Sequence, residues 1–204
     1  MRFEHVKVLP FVGGNYRKDT PWGLPILIVG ESHYSKNGEP LSADFTKTVV
    51  QDTLDGENCS FFTKAVGVFH GCWPNPELRR QFWSCSVFYN FVQETVGSGP
   101  RIRPTDEMWR RAGPALEEVL IEHEPGFVLV LGTQLWANLP VPLQPGPFVT
   151  LPDGQSRESR LYFNDAGCAF TFGIAHPASP GWSYRKWTPW VQAALQVATQ
   201  FQTG

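Results

Sequence analysis

Glu31 and His176 are the titratable residues whose positions best suit catalysis. Each follows directly on a short apolar run, LPILIVG (24–30) before Glu31 and AFTFGIA (169–175) before His176. A carboxylate and an imidazole at two strand ends can face one cleft, one handling a water and the other donating to a leaving group. Each residue also has a structural reading, Glu31 as the cap of a turn and His176 as the partner of a buried carbonyl.

Ser32 offers a different chemistry. Gly30-Glu31-Ser32-His33-Tyr34 approaches the G-x-S-x-G nucleophile elbow, and the order Ser32, Asp153 or Asp165, then His176 is that of an α/β serine hydrolase. Against it, Tyr34 stands where the elbow needs its second glycine, and SKNGEP (35–40) breaks the helix that should follow the serine. No strand leads into a G-x-G-x-x-G or Walker loop, which argues against a phosphate cradle. Cys59, Cys72, Cys85 and Cys168 form no C-x-x-C pair, and only His70 and Cys72 lie at a zinc-like spacing, so no metal is expected.

The elements that must hold these residues can be read from the apolar pattern. Ile26 to Gly30, Val87 to Asn90 within the aromatic run 83–92, Val128 to Leu131 and Thr171 to Ala175 are expected as central strands. Each stops at a glycine or polar residue. Residues 105–122 form a helix capped by Thr105, and residues 188–201 a second with Pro189 in its first turn. Strands alternating with helices imply α/β architecture with a largely parallel sheet. Residues 140–154, rich in Pro and Gly, are expected as a surface connection leading to a hairpin.

The chain has 204 residues, 42% apolar and 18% charged, which suits a single globular domain over residues 1–204 and excludes disorder as its main state. A net charge of −2 excludes bulk adhesion to polyanions, so a nucleic-acid partner must meet a local patch. The tail offers one. No Asp or Glu follows Asp165, whereas Trp182, Tyr184, Arg185, Lys186 and Trp187 do. Trp187 and Trp190 also have a reading as core. Arg101, Arg103, Arg110 and Arg111 form a second candidate phosphate surface, interrupted by Asp106 and Glu107. No run of about 18 apolar residues occurs, so neither a membrane partner nor secretion is expected, and a reduced cytoplasmic protein is.

In order along the chain, ILIVGESHY, SFFTKAVGVF, SVFYNFVQ, EPGFVLVLG and GIAHPASPGWSYRKW resemble the motifs of the uracil-DNA glycosylase superfamily. The resemblance covers residues 26–187. It implies a three-layer α/β/α sandwich with a mostly parallel central sheet and a monofunctional DNA glycosylase without cofactor, working as a monomer on DNA. Gly30-Glu31 matches the G-E of the thermophile-type branch, where the acid assists the water. Ser32 stands where the best-known branch has its catalytic Asp, and His33 replaces a Pro. By the same resemblance Glu31, Ser32 and His176 are catalytic, and His33, Tyr34, Phe61 or Phe62, and Asn90 bind the base. Pro177, Ser179, Trp182, Arg185 and Lys186 belong to the loop that presses into DNA. The cysteines of the iron-sulfur branch are not reproduced.

This chemistry needs opposite stabilisers, since breaking an N-glycosidic bond builds positive charge on the sugar and negative charge on the leaving base. The target must also leave the helical stack. The altered Ser32-His33 turn widens the expected substrates from uracil-type bases to bulky modified cytosines such as glucosylated hydroxymethylcytosine, which superfamily relatives remove in phage defence. A catalytically silent nucleic-acid-binding relative is the rival reading.

Overall fold

A computed structural model describes residues 3–34, 41–56, 59–97, 102–164 and 167–202. Among these residues the chain forms nine strands and six helices, a mixed α/β architecture. The strands are β1 (Phe11–Val12), β2 (Ile26–Gly30), β3 (Ser86–Asn90), β4 (Phe127–Leu131), β5 (Gln144–Pro145), β6 (Val149–Thr150), β7 (Ser156–Arg157), β8 (Arg160–Asn164) and β9 (Gly167–Ile174). The helices are α1 (Phe45–Asp55), α2 (Ser60–His70), α3 (Pro76–Ser84), α4 (Asp106–His123), α5 (Thr133–Asn138) and α6 (Tyr184–Gln202).

Seven strands make one mixed sheet in the order β1-β3-β2-β4-β9-β8-β5. The four expected central strands are its middle, with β3, β2, β4 and β9 each parallel to its neighbour. Every residue of β2, β3 and β4 is buried, because alternate side chains feed cores on opposite faces. Ile26, Ile28, Leu129 and Phe172 pack with α2, α3 and α6, while Leu27, Val29, Val87 and Val130 pack with α4 and α5. This two-sided burial is why those segments read as continuous apolar runs.

From β2 the chain crosses to β3 on one side and then returns to β4 on the other. Such a reversal opens a crevice at the carboxyl ends of the strands. Asn90, Glu31 and Gly132 stand at that edge, since Gly30 is in register with Asn90 and Val29 with Val130.

Three boundaries differ from expectation. The aromatic run 83–92 is not one strand: Trp83 and Ser84 close α3, which starts at a cap where the Asn75 side chain accepts from Leu78 N at 2.8 Å. Phe82 and Trp83 are aromatic because that helix end is core, not because it is extended. Helix α6 starts a turn earlier than Thr188, since Ser183 Oγ accepts from Lys186 N at 3.3 Å and Ser183 O from Trp187 N. The 140–154 connection contains its own pairing, β5 on β8 and the β6–β7 hairpin, whose turn has Gly154 at φ 86°. Thr105 caps α4 as expected, accepting from Met108 N. Among the described residues no helix is long and apolar enough to cross a membrane.

Candidate active site

Glu31 is 7% exposed where β2 ends. A buried carboxylate without a partner costs several kcal/mol, and Arg103 supplies that partner. Its Nη1 donates to both oxygens of Glu31, at 2.9 and 3.1 Å. Arg103 comes from the segment before α4 and is itself 59% exposed, so the rest of its guanidinium faces outward. Gly132 borders the same carboxylate: a Cβ there would lie 3.8 Å from Glu31 Oε2.

His176 follows β9, tied to the sheet by Gly132 N, which donates to Ile174 O at 2.9 Å. Its Nδ1 accepts from Ala178 N at 3.1 Å, so the neutral ring carries its proton on Nε2. Phe61 on α2 stacks on the imidazole with centroids 5.2 Å apart and planes at 30°. Burial lowers the His176 pKa below its ordinary value, Glu31 opposes that shift, and Arg103 and Lys64 reinforce it. The structure thus brings Glu31, Arg103 and Lys64 into electrostatic reach of one imidazole that is neutral at pH 7. Lys64 Nζ also donates to Pro177 O at 2.8 Å and stands 5.3 Å over the Trp182 ring, fastening the loop after His176 to α2.

Asn90 ends β3 and is 9% exposed. Its Nδ2 donates to His33 Nδ1 at 3.1 Å, and His33 Nε2 lies 3.3 Å from Thr46 Oγ1. Burial pushes the His33 pKa down to about 4, so the ring is neutral and its Nδ1 serves as acceptor. This fixes the amide of Asn90 with Oδ1 turned away from His33. Gly30 makes room for it, since a Cβ at Gly30 would fall on Asn90 Oδ1.

The other expected site residues divide. Of the two phenylalanines, Phe62 is core, packed against Trp83 and Phe88, while Phe61 reaches His176. Tyr34 is exposed beside the site. Ser32 Oγ is buried and makes no hydrogen bond among the described residues. A triad histidine presents Nδ1–H to its carboxylate, whereas His176 Nδ1 accepts from the backbone, an arrangement that does not favour the hydrolase reading. Asp153 is engaged with Gln155 in the β6–β7 turn, and Asp165, like residues 35–40 and Arg101, lies outside the described residues.

Pro177 is buried, and Ser179 N donates to His176 O at 2.8 Å, so this loop begins as a tight turn. Trp182 is not the freely exposed aromatic expected. It is half-buried between Lys64 and Tyr184, the latter ring 5.1 Å away. Arg185 and Lys186 are exposed, while Trp187 and Trp190 are core. Arg110 pairs with Glu107, and Arg111 with Glu94 and Glu107, which removes both from the second candidate phosphate surface.

Sequence reasoning missed Arg103 as the partner of Glu31, Lys64 as the clamp on the loop, and Thr46 behind His33. Arg103 lies 72 residues from Glu31, and no local spacing announces the pair. No protein-family model matches this chain, and no curated protein does.

Proposed function

We propose that the protein is a monofunctional DNA glycosylase of the uracil-DNA glycosylase superfamily, with that superfamily's α/β/α sandwich. It flips a damaged or modified base out of DNA and hydrolyses its N-glycosidic bond, leaving an abasic site. The observation that carries this reading is the set of groups at the crevice of the sheet: Glu31 after β2, held by Arg103, borders Gly132, whose N–H donates to Ile174 O just before His176, and Phe61 stacks on that imidazole.

Glu31, an anion beside the cationic sugar, orients the water and takes its proton as oxygen bonds to C1′. The C1′–N bond breaks and its electron pair leaves with the base, whose negative charge meets the Nε2–H of His176. Arg103 holds Glu31 by Nη1 and has further N–H groups for a phosphate of the flipped nucleotide. Asn90, its amide fixed by His33, offers Oδ1 to a base N–H such as the N3–H of uracil or the amino group of a cytosine. Phe61 supplies the stacking face beside His176.

The test is to incubate the protein with DNA carrying uracil, hypoxanthine, hydroxymethylcytosine or glucosylated hydroxymethylcytosine and then cleave abasic sites with alkali. Nicks at one of these bases are expected. DNA binding without a nick on any substrate would make the protein a silent relative and overturn the reading.

A further inference from the structure

A groove of about 470 Å³ between β1 and α1, lined by Phe11, Val12, Lys47, Thr48, Gln51 and Asp52, includes none of the residues of the charged centre. A second cleft, of about 310 Å³, is lined by Thr133, Trp136, Arg157, Glu158, Gly173 and Ile174. Its size is at the lower end for small-molecule sites, about 300 Å³ upward. Thr133 directly follows Gly132, the residue against Glu31, and Ile174 lies two residues before His176.

Neighbouring residues of this cleft carry opposite charges yet do not neutralise each other. Glu158 turns to α5, its Oε1 accepting from Trp136 Nε1 at 2.8 Å and standing 3.9 Å from Arg160 Nη2. Arg157 turns the other way and lies on two indoles of α6, its guanidinium 4.8 Å from the Trp187 centroid and 5.0 Å from that of Trp190. Among the described residues Arg157 pairs with no carboxylate. Lys186 Nζ reaches the same Trp187 ring at 5.2 Å, so two cations converge on one indole. A guanidinium held over aromatic rings by cation–π attraction still has N–H groups with which to bind a phosphate. The indoles hold Arg157 in place, so little side-chain freedom is lost when the anion arrives.

We propose that this cleft binds a nucleotide of the DNA strand adjacent to the one at Glu31 and His176. Arg157 takes the linking phosphate, and Glu158 Oε2 and the Thr133 hydroxyl take donors and acceptors of its sugar or base. The β6–β7 hairpin thereby extends the phosphate track of Arg185 and Lys186 across the mouth of the crevice. The assignment rests on the glycosylase reading for what occupies the neighbouring centre, but its own test requires no catalysis.

Trp136 Nε1–H lies at the cleft and is a spectroscopic reporter. The ¹⁵N-labelled full chain is titrated with a 5′-phosphorylated thymidine dinucleotide, with thymidine 5′-monophosphate and with inorganic phosphate, the indole resonance being assigned through Trp136→Phe. The dinucleotide should shift the Trp136 signal, the monophosphate should do so more weakly, and phosphate alone should leave it in place. Arg157→Ala should weaken the dinucleotide response about ten-fold, as expected for losing a charge-assisted contact, with Arg157→Lys in between. On longer DNA without any modified base, Arg157→Ala should flatten the salt dependence by about one charge. A Trp136 signal indifferent to the dinucleotide, or shifted equally in Arg157→Ala, overturns the proposal. So does an equal response to inorganic phosphate, which would make this a free-anion site. Failure to excise any base, with the Trp136 response intact, overturns the glycosylase reading and leaves the nucleotide cleft standing.

Discussion

Arg103 holds Glu31 by donating from a single Nη1 to both of its oxygens, at 2.9 and 3.1 Å, with the carboxylate 7% exposed and the guanidinium 59% exposed. The arrangement gives a buried carboxylate a cationic partner that is itself largely exposed. Removing the cation strands the charge. Arg103→Ala should therefore cost about 1–3 kcal/mol of stability, the usual penalty for a buried polar group losing its partner. In the Glu31→Gln background the same change should cost clearly less, because the amide carries no charge to strand. Urea unfolding of the four proteins in this cycle measures the difference, and equal costs in both backgrounds would show that the pair is energetically idle.

His176 is expected to act on the leaving base through Nε2–H. His176→Ala should lower single-turnover excision about 10²–10³-fold, the usual loss for a transition-state donor, while leaving DNA affinity within a few-fold. Its titration gives a second readout. Glu31 raises the His176 pKa and Arg103 lowers it. The histidine should therefore titrate at lower pH in Glu31→Gln and at higher pH in Arg103→Ala. Ring-proton NMR across the acidic range follows both, and an unmoved titration in either variant would separate His176 from the Glu31–Arg103 pair.

The sheet was legible because two-sided burial leaves an apolar run, as in β2, β4 and the inner part of β9, and Glu31, Gly132 and His176 come just after those strands. Helix α4 was legible from Thr105 and its apolar stripe. The run before Asn90 misled because aromatic burial at the end of α3 has the same composition as a strand. At the site, chain order exposed the residues that finish strands. It could not expose the residues that reach them from other elements, since Arg103 and Lys64 arrive through packing rather than spacing. The burial of Trp182 was hidden for the same reason: Lys64 and Tyr184, which enclose it, come from different helices.

His33 makes acid stability depend on a buried ring. Its pKa falls from 6.5 to about 4 on burial. The unfolded chain takes up the proton as pH drops through 6.5, and the native protein does so only near 4. Stability contributed by this group is thus complete above 6.5 and declines as pH falls through that window. By linkage this lowered pKa is worth about 3 kcal/mol of stability. In His33→Asn the loss of stability between about pH 7 and pH 4.5 should be smaller by most of that amount. Chemical denaturation at the two pH values would show it, and identical pH dependence in both proteins would locate the acid sensitivity elsewhere.

Gly30 is the backbone contact on which Asn90 rests. Because an added methyl would fall on Asn90 Oδ1 and within 3.0 Å of Phe88 Cζ, Gly30→Ala must push the amide off His33. Overpacking of this kind costs about 1–3 kcal/mol. Base binding should suffer beyond that loss, with KM for excision rising even where the variant is fully folded. Wild-type KM in a folded Gly30→Ala protein would show that Asn90 does not read the base.

Arg185 and Lys186 are the exposed cations that follow the loop after His176, and they open α6 on the side where Ser183 caps it. Their carboxylate-free surroundings in the sequence favour phosphate contacts, which carry no base information. Replacing both with Ala should weaken binding similarly on all DNA sequences and flatten the dependence of log Kd on log salt by up to about two charges' worth. Lys186 also stands over Trp187, so Lys186→Met serves as a control that keeps the apolar stem while removing the charge. Trp182 should behave differently from this pair. To act on duplex it must leave its place between Lys64 and Tyr184, so Trp182→Ala should reduce excision from duplex more than from single strands. Fluorescence anisotropy over a salt series, beside excision rates on the two substrate forms, separates the roles. A salt slope untouched by the double substitution, or equal losses on duplex and single strands for Trp182→Ala, would mean that DNA approaches the crevice from another side.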